Sequence, residues 1–282
     1  MGLKELLLLR LAKRWISGVD LDSALADAKK ANSKGMGAVV NFLGEEIRDP
    51  AVAESHTGEY LRLQQRISDE HIRGFASVKL TQLGLGADDE GAFARLEKIA
   101  DNSDRLGQAL WIDMESSQFT EKTISMYLAS LKKHRNVGIV LQAYMKRSEA
   151  DLPKLLDAGA RIRLVKGAYR ERPDVVYHSK EEVAESFRRL MRSLFEEGTG
   201  FAIATHDSIL IDEAKKLAET KRNQDFEFEM LKGIRDELKV DLVGSGFNVS
   251  EYLPYGDRWF AYSKRRITEH PSNIMLLLRS LV

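Results

Sequence analysis

Eight short runs of β-branched and apolar residues alternate along this chain with longer stretches of helical periodicity and charge, and that alternation leaves few folds open. The runs are "MGAVVNF" (36–42), "FASVKLT" (75–81), "ALWIDME" (109–115), "VGIVLQA" (137–143), "IRLVKGA" (162–168), "FAIATHD" (201–207), "FEFEML" (226–231) and "NVSEYLP" (248–254). Each has the length of a strand. The stretches between them predict helices, among them "EEVAESFRRLMRSLFEEG" (181–198) and "DSILIDEAKKLAETKR" (207–222), the second with Asp207 as its N-cap. "GLGADD" (84–89) reads as a turn running into a helix start. No linker rich in proline or in glycine and serine divides the chain. Eight βα units in one unbroken domain predict an α/β fold, a (β/α)8 barrel over 36–282 preceded by N-terminal helices over 1–35. A doubly wound open sheet is the alternative, and the absence of GxGxxG after the first strand counts against it.

Composition narrows the chemistry more than the fold. With 282 residues, 43% of them hydrophobic, the chain can bury the core of one barrel or of two smaller domains. It has no cysteine, which excludes disulfides, thiolate catalysis and cysteine zinc ligands. A formal net charge of zero gives no support to nucleic-acid binding. In "MGLKELLLLRLAKRWI" the apolar run Leu6 to Leu9 is broken by Arg10, Lys13 and Arg14, so it predicts an amphipathic helix rather than a signal peptide or anchor.

A barrel of this kind carries its chemistry where the strands end. Polar residues collect there: Lys79 on strand two, Asp113 on three, Gln142 on four, Arg163 and Lys166 on five, Thr205 and His206 on six, Glu229 on seven and Tyr252 on eight. The six histidines are scattered and no HExxH occurs, so no metal site is expected, with carboxylate-bound magnesium the alternative left open. No GxSxG supports a serine triad. One enzymatic reading left open is a Schiff-base lyase or aldolase using Lys79 or Lys166.

Four segments carry a likeness: "RLVKGAYRE" (163–171), "ATHD" (204–207), "FEFEMLKG" (226–233) and "YLPYGDRWFAYSKRRITE" (252–269). Together they make the chain resemble proline dehydrogenase in its single-domain bacterial form, from about residue 36 to the C-terminus. The resemblance implies a distorted (β/α)8 barrel that binds FAD noncovalently and oxidises L-proline to Δ1-pyrroline-5-carboxylate. It implies that Arg163, Val165, Lys166, Gly167 and Ala168 line the flavin, that Gln142 meets the edge of its ring system, and that Thr205 and His206 contact it from strand six. Lys79, Arg265 and Arg266 would hold the proline carboxylate, with Glu269 steadying the arginine pair. Tyr169, Leu231 and Tyr252 would border the proline ring, and Asp113 would sit near the substrate and Lys79. One departure stands out: relatives often carry glutamine where this chain has Glu229, which is therefore left out of the expected site.

The paired arginines make physical sense in that setting. A carboxylate in a water-poor pocket needs more than one cation, and guanidinium groups fix its angle as well as its position. Adjacent helix residues point about 100° apart, so Arg265 and Arg266 can flank one anion, with Glu269 in reach of either. Trp259, Phe260 and Tyr262 are expected to be helix core. The resemblance further implies membrane quinone as electron acceptor, a cytoplasmic chain that can dock peripherally at the inner membrane surface, and a separate pyrroline-5-carboxylate dehydrogenase downstream. The N-terminal helix is a candidate docking element; capping the barrel bottom or packing at a homo-oligomer interface are its alternatives. A noncatalytic barrel scaffold is disfavoured by the set Lys79, Asp113, Arg265 and Arg266.

Overall fold

A computed structural model of the chain describes residues 12–260, 262 and 263. The eight expected strands are present: β1 (Gly37–Phe42), β2 (Gly74–Val78), β3 (Leu110–Ile112), β4 (Val137–Gln142), β5 (Arg161–Val165), β6 (Phe201–Ala204), β7 (Phe226–Leu231) and β8 (Val249–Tyr255). They close into one parallel barrel in sequence order, with β8 pairing back onto β1 from Gly37↔Ser250 to Phe42↔Tyr255. Seven helices fill the crossovers: α2 (Pro50–Asp69), α3 (Asp89–Leu106), α4 (Ser117–Leu131), α5 (Ser148–Asp157), α6 (Lys180–Glu197), α7 (Ser208–Lys221) and α8 (Asp236–Gly244). Asp207 caps α7 as expected, its carboxylate accepting from the Ile209 N–H, and Asp88 closes the 84–89 turn by capping α3.

An eighth helix, α1 (Leu21–Ser33), precedes the barrel and lies outside β8 and β1. A regular barrel gives that place to the helix that follows β8. Here the helical residues after β8 sit elsewhere: Trp259 and Tyr262 are buried with Ala12, Trp15, Ile16 and Leu43, beside the C-terminal end of β1. The chain before α1 is held at the same end, where Ser17 N–H donates to Pro254 O (2.7 Å) and the Lys232 ammonium to Lys13 O (2.7 Å). Residues 12–17 therefore border the C-terminal mouth of the barrel rather than its bottom; residues 1–11 lie outside the described residues. Phe260 departs from the expected core, being 56% exposed.

Several strands stop short of the apolar runs that predict them. The run 75–81 ends as a strand at Val78, and Leu80–Leu83 form a 3-10 turn whose four residues are all buried. Burial, not pairing, makes that run apolar, so periodicity cannot see where the strand gives way to the turn. The same shortening at 109–115, 162–168 and 201–207 moves Asp113, Lys166, Gly167, Ala168, Thr205 and His206 off the strands and onto the loops that follow.

Side chains alternate across each strand. The outward set, including Ala38, Val40, Val78, Ile112, Ile139, Leu164, Ile203 and Phe228, joins the main core under the helices. The inward set is unusually polar. A small apolar floor of Val39, Trp111 and Ala202 fills the barrel centre. Gly138 makes room for the indole: a Cβ there would stand 2.2 Å from Trp111 Cζ3. Above that floor the inward positions are Ser77, Arg163, Glu229 and Tyr252, where barrels more often carry bulky aliphatic residues.

Candidate active site

Arg163, at the third position of β5, is 2% exposed and lies in the middle of the barrel. Its Nη1 donates to Asp113 Oδ1 (2.9 Å) and Ser77 Oγ (3.1 Å), and Ser77 Oγ donates in turn to Asp113 Oδ1 (2.8 Å). On its other side Nε pairs with Glu229 Oε2 at 2.6 Å. The guanidinium carbon stands 4.8 Å from the Trp111 ring centroid and 5.7 Å from that of Tyr252. A buried cation needs partners of this strength. Even so, Nη2 is buried with no hydrogen-bond partner among the described residues.

Two carboxylates share that one guanidinium. Burial pushes the Glu229 carboxyl up to about 8, with the Arg163 charge pulling it back, and burial works against the Arg163 cation while Glu229 and Asp113 outweigh it and raise its pKa. Tyr252 Oη donates to Asp113 Oδ2 (2.8 Å), and burial together with the Asp113 charge holds the phenol well above its ordinary pKa. Tyr252 is therefore a fixed donor with its ring set as a wall.

The loops after the strands complete the mouth. Gly167 adopts φ +106° and a Cβ on it would stand 2.1 Å from Tyr144 Cδ1, so only glycine lets the β5 loop pass this close to the ring. Lys166 Nζ pairs with Asp207 Oδ2 (2.8 Å); burial raises the Asp207 carboxyl, but the Lys166 hydrogen bond and charge bring it below the usual carboxylate range. The Leu231 N–H donates to His206 Nε2 (2.9 Å), which makes that nitrogen an acceptor and puts the ring proton on Nδ1. Gln142 is buried and anchored by its Nε2 donating to Glu115 O (2.9 Å).

These groups surround a cavity of about 740 Å³, within the range of pockets that enclose an elongated organic ligand. Its walls include Lys79, Asp113, Gln142, Arg163, Val165, Lys166, Gly167, Ala168, Tyr169, Thr205, His206, Leu231 and Tyr252, every sequence-predicted site residue that lies in the described part of the chain. Arg265, Arg266 and Glu269 lie outside the described residues. The walls also include Glu229, left out of the expected site, and residues given no site role from the sequence: Met114, Tyr144, Tyr177, His178, Lys180, Asp207 and Tyr262. Tyr262, expected only as helix core, is buried and reaches the cavity as well. Gly167 was the one available signal for Tyr144, since a glycine at a strand exit announces a close approach without naming what approaches.

A closed parallel barrel with a cavity at the C-terminal ends of its strands, lined by charged and aromatic residues around a buried arginine, defines a (β/α)8-barrel enzyme. The sequence matches the proline dehydrogenase family over residues 24–275, and the chain belongs to that family. It is 35% identical over 272 residues to proline dehydrogenase 2 of Bacillus subtilis, covering 96% of this chain and 90% of that one. To proline dehydrogenase of Deinococcus radiodurans it is 32% identical over 279 residues, with the same 96% and 90% covered. The fold is shared with solved proline utilization A from Bdellovibrio bacteriovorus, at a TM-score of 0.85 and 24% identity; 92% of this chain is covered, against 32% of that one. This chain thus spans about a third of that larger protein.

Proposed function

We propose that the chain oxidises L-proline to Δ1-pyrroline-5-carboxylate, the first step of proline catabolism, with noncovalently bound FAD as hydride acceptor and membrane quinone as the final electron acceptor. The observation that carries this reading is the convergence, in a member of the proline dehydrogenase family, of thirteen resemblance-derived residues on one cavity. The fit of the cofactor is supported by the chain's own chemistry: the unpartnered Arg163 Nη2, the bare backbone at Gly167 and the cavity volume suit a long ligand with an acceptor atom over the barrel centre.

FAD, when bound, supplies the two-electron acceptor. Everything else falls to side chains. Arg163, Val165, Lys166, Gly167 and Ala168, with Gln142, Thr205 and His206, would hold the cofactor. Lys79 would bind the proline carboxylate, together with Arg265 and Arg266. Tyr252, Tyr169 and Leu231 would enclose the ring and exclude water, keeping the substrate at reacting distance in one orientation. The amine must be unprotonated for its lone pair to drive C–H cleavage.

Among the described residues no helix is long and apolar enough to cross a membrane. We place the chain in the cytoplasm, reaching quinone by docking at the inner membrane surface and passing its product to a separate pyrroline-5-carboxylate dehydrogenase. The purified chain is expected to be yellow, with flavin absorbance that bleaches on anaerobic addition of L-proline. A colourless protein trapped on Lys79 or Lys166 by borohydride and a carbonyl substrate would overturn the reading.

The wall formed by Tyr252 yields a further expected result. With its ring pinned through Asp113, little room remains beside the substrate ring, so a 4-hydroxyl would lose its water hydrogen bonds without replacement. Tyr252→Ser should lower kcat/KM for L-proline more than for trans-4-hydroxyproline, and the ratio should fall by about five- to hundredfold. An unchanged ratio would remove Tyr252 from the substrate wall.

A further inference from the structure

Glu115 is a buried carboxylate, 3% exposed, that does not line the cavity and has no place in the mechanism above. It sits two residues beyond Asp113, and its two oxygens go to one residue: Oε1 accepts from Thr81 N–H (3.0 Å) and Oε2 from Thr81 Oγ1–H (2.5 Å). Thr81 passes the connection on. Its Oγ1 accepts from Glu46 N–H (2.9 Å) and its carbonyl from Ile47 N–H (3.0 Å), tying down the loop after β1. On the other side the Glu115 carbonyl accepts from Gln142 Nε2 (2.9 Å). The result is a hydrogen-bonded belt through the end of β4 and the loops after β3, β2 and β1, extended to the β5 loop where Tyr169 Oη meets Glu45 Oε2 at 3.4 Å.

Two features show that the belt holds something that would otherwise relax. Glu46 has φ +54°, a left-handed conformation that an L-residue keeps only when its neighbours require it, and its N–H is the one bonded to Thr81. Lys79, a wall of the cavity, is the N-cap residue of the Leu80–Leu83 turn that contains Thr81, and its carbonyl accepts from Gln82 N–H (3.1 Å). Burial pushes the Glu115 carboxyl up to about 7, and the Thr81 hydrogen bonds and the Lys79 charge pull it back.

We propose that Glu115 is a positioning residue for substrate binding: through Thr81 it fixes the turn that carries Lys79 and joins it to the loop after β1, so that the cation meets the substrate carboxylate in one geometry. This rests on the reading that Lys79 binds that carboxylate. In its ionised form Glu115 accepts from both Thr81 donors. An amide of the same shape offers one acceptor oxygen and would turn its NH2 toward the second donor, leaving that hydroxyl proton buried without an acceptor.

The test compares Glu115→Gln, Thr81→Val and their double variant with Thr81→Ser, which keeps the hydroxyl. Glu115→Gln and Thr81→Val are each expected to raise KM for L-proline at least tenfold with kcat within about threefold of wild type. Both should weaken binding of cyclopentanecarboxylate, measured by calorimetry, by the same factor and with flavin content unchanged. The double variant should be no worse than the worse single one, because both break the same link. Thr81→Ser should stay within twofold of wild type. Wild-type KM and wild-type carboxylate binding in Glu115→Gln would overturn the inference, as would equal behaviour of Thr81→Val and Thr81→Ser, the pair that decides if Glu115→Gln does not fold. A wild-type chain that neither oxidises L-proline nor binds the carboxylate would instead remove the functional reading, and this inference with it.

Discussion

Arg163→Met is expected to cost the fold about 3–5 kcal/mol, because it leaves the Asp113 carboxylate inside the barrel without its cation. Methionine fills most of the volume, so the loss is one of charge pairing and not of packing. For a chain of this size that corresponds to a fall in melting midpoint of roughly 8–15 °C. The same change deletes the unpartnered Nη2 donor, so bound flavin per chain should also drop sharply. A melting midpoint within 2 °C of wild type, with full flavin content, would show that the buried cluster neither holds the barrel together nor faces the cofactor.

Glu229→Gln alone should change how stability depends on pH. The carboxyl is raised from an ordinary 4.5 to about 8 when folded, chiefly by burial. A raised pKa means that the contribution is fully present below about pH 4.5 and is lost as pH rises through 8, since ionising this group costs more in the fold than in the unfolded chain. A gap of that size amounts to about 4–5 kcal/mol across the interval. Glutamine does not titrate. The melting midpoint of the variant minus that of wild type should therefore climb by about 8–15 °C between pH 5 and pH 9, with the variant the more stable at the alkaline end. A difference that stays flat over that range would mean that Glu229 remains ionised throughout, fully matched by Arg163.

The alternation of apolar runs and helical stretches is a local property, set by which residues within a few positions can share a face, and it was enough to predict eight βα units and a barrel. Polar residues at the run ends, with the "RLVKGAY" motif, located the cavity wall from Lys79 to Tyr252 in the same way. Strand ends were not legible, because Leu80 and Leu83 are apolar for the sake of a buried turn rather than a strand. Nor was the packing of Trp15 against the far end of the chain, where its Nε1 donates to Ser263 Oγ (2.9 Å).

Glu229 makes the division clearest. In the sequence it is a polar residue toward the end of "FEFEML", set apart from the expected site because relatives often carry glutamine there, with nothing to say what it meets. Closing the barrel brings β3 and β7 to opposite sides of β5, so that Arg163 reaches Asp113 on one flank and Glu229 on the other, although neither β3 nor β7 pairs with β5. Sequence by itself determined the order of strands and helices, since that alternation is set by residues only a few positions apart. Which inward residues meet was decided only by closure, because contact across a barrel depends on the register and curvature of every strand between them.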